Sequence, residues 1–179
     1  MIATQVSSET LAQLRTRLKE DPLAMVGEAG IDKRYPGYND GTQDQIFLAQ
    51  AGLALELKRD LQIHCVGDYM HVLKLLEEAG FKAAQGQDAS SREAPRPIFH
   101  RFGGDANFVK KALPFGALFS LHEDSFRKKS TAAAIKLIPE SNVFFETDAD
   151  ESFLEPAELL EELEGRLESV RLAYAKSLE

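Results

Sequence analysis

Four short segments of this chain end in a side chain that divalent cations accept. They are Met25-Val26-Gly27-Glu28, Leu61-Gln62-Ile63-His64, Pro97-Ile98-Phe99-His100 and Val143-Phe144-Phe145-Glu146-Thr147-Asp148. A carboxylate such as Glu28 can bridge two cations, because each of its oxygens can bind one. Neutral imidazoles such as His64 and His100 suit borderline metals. Asp148 could bind a metal or deprotonate a metal-bound water. Glu146 points the same way by the period of two, which makes it a candidate to support a ligand from behind. Each residue also has a plainer reading: a strand-end carboxylate capping a loop, a hydrogen-bonded core histidine, two carboxylates before an acidic helix. Two histidines at equivalent strand ends favour the chemical reading, and that chemistry is metal-assisted hydrolysis.

Other side chains carry weaker signals. Arg101, Lys33 and Arg34 could bind a substrate phosphate, and each could equally be solvated surface. The Gly103-Gly104 pair could let a phosphate approach backbone N–H groups. His122 reads as part of a polar loop, His71 as a helical, structural histidine, and Cys65 as a buried apolar thiol rather than a thiolate ligand.

The elements that must position these groups alternate. Residues 8–20 read as an amphipathic helix stopped by Asp21-Pro22, and 23–27 as a buried strand. A loop follows from Ile31 to Gly41, then a helix over 42–58 capped by Thr42. Strand 61–64, a helix from Gly67 to Ala79 ended by Gly80, and a surface insertion at 82–96 come next. Strand 97–100, helix 105–113, strand 116–121, helix 128–137 and strand 142–147 continue the pattern. A helix over 155–179, with Leu160, Leu163, Leu167, Val170, Tyr174 and Leu178 as its apolar positions, closes it. The order βαβα predicts an α/β fold with a parallel sheet of about five strands in a single domain over 1–179. In such a sheet the C-terminal ends of the strands open onto one face, where the four groups would meet. A closed (β/α)₈ barrel needs eight strands, so a partial TIM-type barrel is expected.

Composition is that of an ordinary globular chain, 44% hydrophobic and 28% charged. The net charge of −8 argues against broad electrostatic binding to nucleic acid or anionic membranes. It does not exclude a nuclease, since bound cations reverse the local sign. One cysteine allows no internal disulfide, and no signal or spanning segment is visible, so a cytoplasmic or nuclear location and no membrane partner are expected.

Taken together, Val26-Gly27-Glu28-Ala29-Gly30-Ile31-Asp32, Gln45-Ile46-Phe47-Leu48-Ala49-Gln50 through Leu61-Gln62-Ile63-His64-Cys65, Phe99-His100-Arg101-Phe102-Gly103-Gly104 and Phe145-Glu146-Thr147-Asp148-Ala149 resemble the TatD-like metal-dependent hydrolases, a deoxyribonuclease family. The resemblance covers residues from about 9 to 153 and implies a (β/α)₈ barrel. It also implies hydrolysis of phosphodiester bonds in the manner of a 3′-5′ DNA exonuclease, with DNA or another phosphodiester as substrate. Glu28, His64, His100 and Asp148 would bind one or two ions of Mg²⁺, Mn²⁺ or Zn²⁺, with Glu28 and Asp148 as catalytic groups. Family members open with a strand bearing His-x-His, and this chain has no such pair. The resemblance therefore implies that the first two β/α units are missing and that activity is weak or lost. The rival expectation is a non-catalytic adaptor that binds a protein partner. Open sheet edges would in addition favour a homodimer.

Overall fold

The computed structural model describes residues 8–83, 94–149 and 156–178. Five strands alternate with helices: α1 (Ser8–Glu20), β1 (Val26–Asp32), α2 (Thr42–Leu57), β2 (Leu61–Val66), α3 (Tyr69–Ala79), β3 (Pro97–Phe99), α4 (Ala106–Ala112), β4 (Leu118–Leu121), α5 (Lys129–Ile135), β5 (Val143–Phe145) and α6 (Pro156–Leu178). Every strand pairs in parallel with the next, in the order β1-β2-β3-β4-β5, so the sheet is part of a TIM-type barrel with β1 and β5 at its edges. Most of the insertion expected at 82–96 lies outside the described residues. Among the described residues, no helix is long and apolar enough to cross a membrane.

Local chemistry explains the helix ends. Asp68 accepts the His71 N–H at 3.1 Å and Asp105 accepts the Phe108 N–H at 2.9 Å, each capping its helix. Gly80 ends α3 in the left-handed region, its N–H turned back to Leu76 and Glu77. At α2 the cap differs from the expected Thr42. Gly41 takes the left-handed cap position, and Asp40 accepts the Thr42 N–H at 3.0 Å.

The strands carry the larger corrections. The first strand was expected at 23–27, yet Leu23 is 91% exposed and β1 runs to Asp32. Val26, Ala29 and Ile31 are all buried, although an odd spacing from 26 to 29 should put two of them on opposite faces. The register shift between Val26 and Ala29 resolves this: two residues on β1 stand against one on β2. Glu28, within the shift, and Gly30 and Asp32, beyond it, alternate with the buried Ala29 and Ile31, and His64 stands opposite Gly30. Glu28 is thus third of seven residues in β1, and His64 fourth of six in β2, rather than at strand ends. Both strands continue because Ile31 and Cys65 still pair and bury on the other face.

That other face is the core. Phe47, Ala51 and Ala54 of α2, with Val72 and Leu76 of α3, lie on Ile31, Leu61 and Ile63. Further along, Phe99, Phe102, Phe108 and Phe119 form an aromatic cluster with Tyr69. Its edge-to-face pairs include Phe99–Phe108 at 4.8 Å and Phe102–Phe119 at 5.0 Å between ring centroids. Helix α6 packs on the body through its C-terminal half, where Val170 and Tyr174 are buried and Tyr174 meets Phe145 edge-on. Leu160 and Leu178, expected on the same apolar stripe, are exposed.

Candidate metal centre

Three of the four expected ligands converge. Glu28 Oε1 lies 3.0 Å from His64 Nδ1 and 2.6 Å from His100 Nε2, although the three residues come from β1, β2 and the residue after β3. One donor atom from each falls within 4.8 Å of the others. The imidazole rings tilt towards each other with centroids 5.8 Å apart.

Each histidine is held from behind by a second carboxylate. His64 Nε2 lies 3.2 Å from Asp32 Oδ2, and His100 Nδ1 lies 3.2 Å from Glu146 Oε2. Asp32 has no exposed side-chain surface. Arg34 clamps it with Nε at 2.9 Å and Nη2 at 2.6 Å. Burial pushes the Asp32 carboxyl up, but the Arg34 bonds and His64 outweigh this and hold its pKa near about 2. Gln43 fixes the same loop: its Oε1 accepts the Asp32 N–H at 2.8 Å, and its Nε2 donates to the carbonyls of Asp32 and Pro36. Glu146 also accepts the Arg101 N–H. Its supporting position is the one its spacing suggested.

The donor set fits a divalent cation. Two imidazole nitrogens and one carboxylate oxygen make the three-ligand set that catalytic zinc sites use, leaving a position open for water or substrate. Carboxylates behind both imidazoles fix ring orientation and raise ligand basicity. Glu28 is 46% exposed, so the centre is open on one side. Its carboxyl is held well below the usual range, first by His100 and then by His64. Burial disfavours a charge on His100, but Glu146 and Glu28 overcome it and lift the imidazole to about 10. His64 is raised too, chiefly by Glu28.

Asp148, the fourth expected ligand, is not gathered with these three among the described residues. It lies beyond β5, where its Oδ2 meets Arg101 Nη1 at 2.7 Å. The remaining candidates have structural duties. His122 Nδ1 accepts the Asp124 N–H and caps a short 3-10 turn, and His71 pairs with Asp44 at 2.9 Å. Burial pushes the Cys65 thiol up to about 12, so it is a thiol rather than a metal-binding thiolate. Nor is the Gly103 N–H offered to a phosphate, because it donates to Tyr69 Oη at 2.8 Å. Gly104 is small for packing: a Cβ there would come within 2.7 Å of the Phe102 ring.

Sequence reasoning missed Asp32 and Gln43 as parts of the centre. Asp32 had a signal, since it lies four residues beyond Glu28 on the same face of a strand once that strand is extended. Gln43 had none beyond its place in the first turn of α2.

Beside the centre lies a cleft of about 360 Å³ lined by His64 and His100 together with Arg34, Arg101, Arg127 and Lys128. Asp124 lines it too, and three of the four cations are ion-paired: Arg34 with Asp32, Arg101 with Asp124 and Asp148, and Arg127 with Glu123 and Asp124. Replacing Glu146 with Gln is expected to weaken Zn²⁺ binding by about 10- to 100-fold while leaving the fold intact, as loss of an outer carboxylate does elsewhere. A chelator-competition titration measures this, and unchanged affinity would mean that Glu146 does not orient His100.

The family model for TatD related DNase matches residues 2–164 of this chain. The chain is similar to a putative deoxyribonuclease, TATDN3, of Mus musculus, with 25% identity over 134 residues, 73% of this chain and 41% of that protein. It is similar to a 3′-5′ ssDNA/RNA exonuclease TatD of Erwinia amylovora, with 29% identity over 153 residues, 82% of this chain and 54% of that protein. Among solved structures it resembles a TatD homologue from Escherichia coli, YJJV, with a TM-score of 0.68 and 19% identity, over 97% of this chain and 68% of that one. The chain spans about half the length of the curated relatives it matches.

Proposed function

The chain belongs to the TatD related DNase family, and from that premise we propose that it carries a divalent-metal hydrolase centre acting on the phosphodiester bonds of single-stranded nucleic acid. The observation that carries this reading is the meeting of Glu28, His64 and His100, with Asp32 and Glu146 behind the two imidazoles. Glu28, His64 and His100 would hold the ion. Bound there, a divalent ion would polarise a phosphoryl oxygen and lower the pKa of a water towards about 7.

The chain's own residues do the rest. Asp32 and Glu146 keep the imidazoles oriented. Arg34, Arg127 and Lys128 present positive charge to a backbone phosphate in the cleft, where a point charge or a planar fork both serve. Asp148 is the group proposed to take the proton of the attacking water. The nucleic-acid substrate is supported by the relatives, two of which are named as nucleases. None of the named relatives favours the adaptor reading.

The test is release of nucleotides from end-labelled single-stranded DNA and RNA with Mg²⁺, Mn²⁺ or Zn²⁺. We expect turnover that chelation abolishes and that His64→Ala lowers at least about a hundredfold, the upper end of losses from perturbing such sites. His71→Ala, outside the centre, is the control. Equal turnover by His64→Ala and the unaltered chain would remove this centre from the account.

A further inference from the structure

Arg101 lines the cleft beside the centre, one residue beyond His100. Its guanidinium spans two carboxylates: Nη1 meets Asp148 Oδ2 at 2.7 Å and Nη2 meets Asp124 Oδ2 at 2.5 Å. Its backbone N–H donates to Glu146, whose other oxygen faces His100 Nδ1. One carboxylate therefore anchors both the candidate ligand and the cation next to it. Arg101 and Asp148 have φ of 45° and 52°, and are two of the three non-glycine residues with positive φ among those described. Residues with a side chain enter that region at a cost and stay there when their surroundings hold them.

The two carboxylates are not equivalent. Asp124 also pairs with Arg127, at 2.8 Å. Among the described residues Arg101 is the one cation paired with Asp148. An anion that took Arg101 would leave Asp124 with a partner and Asp148 without one. The three side chains are 35–39% exposed, so a solute in the cleft can reach them. Asp148 is held through Nη1 alone, so a phosphate oxygen that takes this N–H group replaces the carboxylate oxygen while Nη2 can stay on Asp124.

We propose that Arg101 is a phosphate-binding residue of this centre, and that the arriving phosphate displaces Asp148 from it and so frees that carboxylate to act beside Glu28, His64 and His100. This rests on the phosphodiesterase reading above and adds to it a latch: the proton acceptor is released by the substrate that needs it. By linkage, phosphate and metal should each strengthen the other's binding wherever the freed Asp148 contributes to holding the ion.

The test uses the whole chain and a thymidine dinucleotide, titrated calorimetrically, first in excess chelator and then with Mn²⁺. Without metal, Arg101→Gln should bind the dinucleotide at least about tenfold more weakly, the loss of one charge-assisted fork. Asp148→Asn should bind it several-fold more tightly, because the competing carboxylate is gone. The double variant should lose that gain. With Mn²⁺, Arg101→Gln should start from a higher metal affinity than the unaltered chain, and dinucleotide should raise metal affinity less in that variant than in the unaltered chain. Thermal melts report folding of each variant, and Arg101→Lys, with charge but no fork, replaces Arg101→Gln if that variant does not fold.

Dinucleotide affinity that is unchanged or weaker in Asp148→Asn overturns the latch, as does unchanged affinity in Arg101→Gln. The metal-free measurements stand whether or not the chain hydrolyses DNA. Hydrolysis with no gain in Asp148→Asn would sink the latch alone, and the predicted affinity changes without hydrolysis would sink the proposed activity alone.

Discussion

Replacing His100 with Ala is expected to lower divalent-metal affinity by at least about a hundredfold. Outer-shell partners at such sites are worth about 10- to 100-fold, and a group that touches the ion should be worth no less. His100 is the natural choice because it is the most enclosed of the three, with Glu28 on one ring nitrogen and Glu146 on the other. The loss leaves two donors, and Glu146 loses its imidazole partner while keeping the Arg101 N–H. Protons give the same result a second signature. In the metal-free chain His100 keeps its proton up to a pH of about 10, and His64 is raised as well. An ion needs the neutral nitrogen, so its uptake must expel those protons. Lower pH therefore weakens binding, and affinity climbs until the pH passes about 10. At pH 7.5 calorimetry in buffers of different ionisation heat should find about one proton released per ion from His100. His100→Ala should release about one fewer. Metal affinity that does not change with pH between 6 and 9 would show that these imidazoles are not ligands.

Gly30→Ala should cost about 3 kcal/mol or more, at the upper end for overpacking, because no flexible group can yield. A Cβ at position 30 would fall 1.8 Å from the His64 carbonyl oxygen and 2.7 Å from its carbon, both backbone atoms of the paired strand. Close-packed interiors pass such a displacement on rather than absorb it. β1 would have to move off β2 just where Glu28 and His64 face each other, so metal affinity should fall together with stability. For a chain of this size the melting temperature should drop by about 10 °C. Gly52→Ala is the counterpart. Gly52 lies inside α2 with nothing within 4 Å of an added Cβ, so alanine should raise stability by about 0.5–1 kcal/mol. Equal melting temperatures for the two variants would show that the approach of β1 to β2 is looser than this geometry.

Much of the centre was legible in the residue types. Glu28, His64 and His100 announced themselves as cation donors at the ends of apolar runs, and the alternation of elements predicted one parallel sheet to bring them together. Glu146 was readable from its spacing to Asp148. The extent of β1 was not, because the extra residue between Val26 and Ala29 breaks the period of two on which strand reading depends. Ending the strand early turned Asp32 into a loop residue beside Lys33 and Arg34. In fact it is a buried carboxylate supporting His64. Asp148 shows the converse. Its type and place suited a ligand, and a guanidinium from a distant strand end holds it instead.

Sequence alone predicted the parallel α/β architecture and picked out the donor residues Glu28, His64 and His100 that meet, since period, turn residues and donor type are local properties written in short stretches of chain. Which carboxylate stands behind which histidine, and which aspartate is paired with an arginine, emerged with the tertiary structure. Those pairs are 32, 46 and 47 residues apart. Contacts at such separations are set by the register of neighbouring strands, where a one-residue shift moves every later side chain to the opposite face.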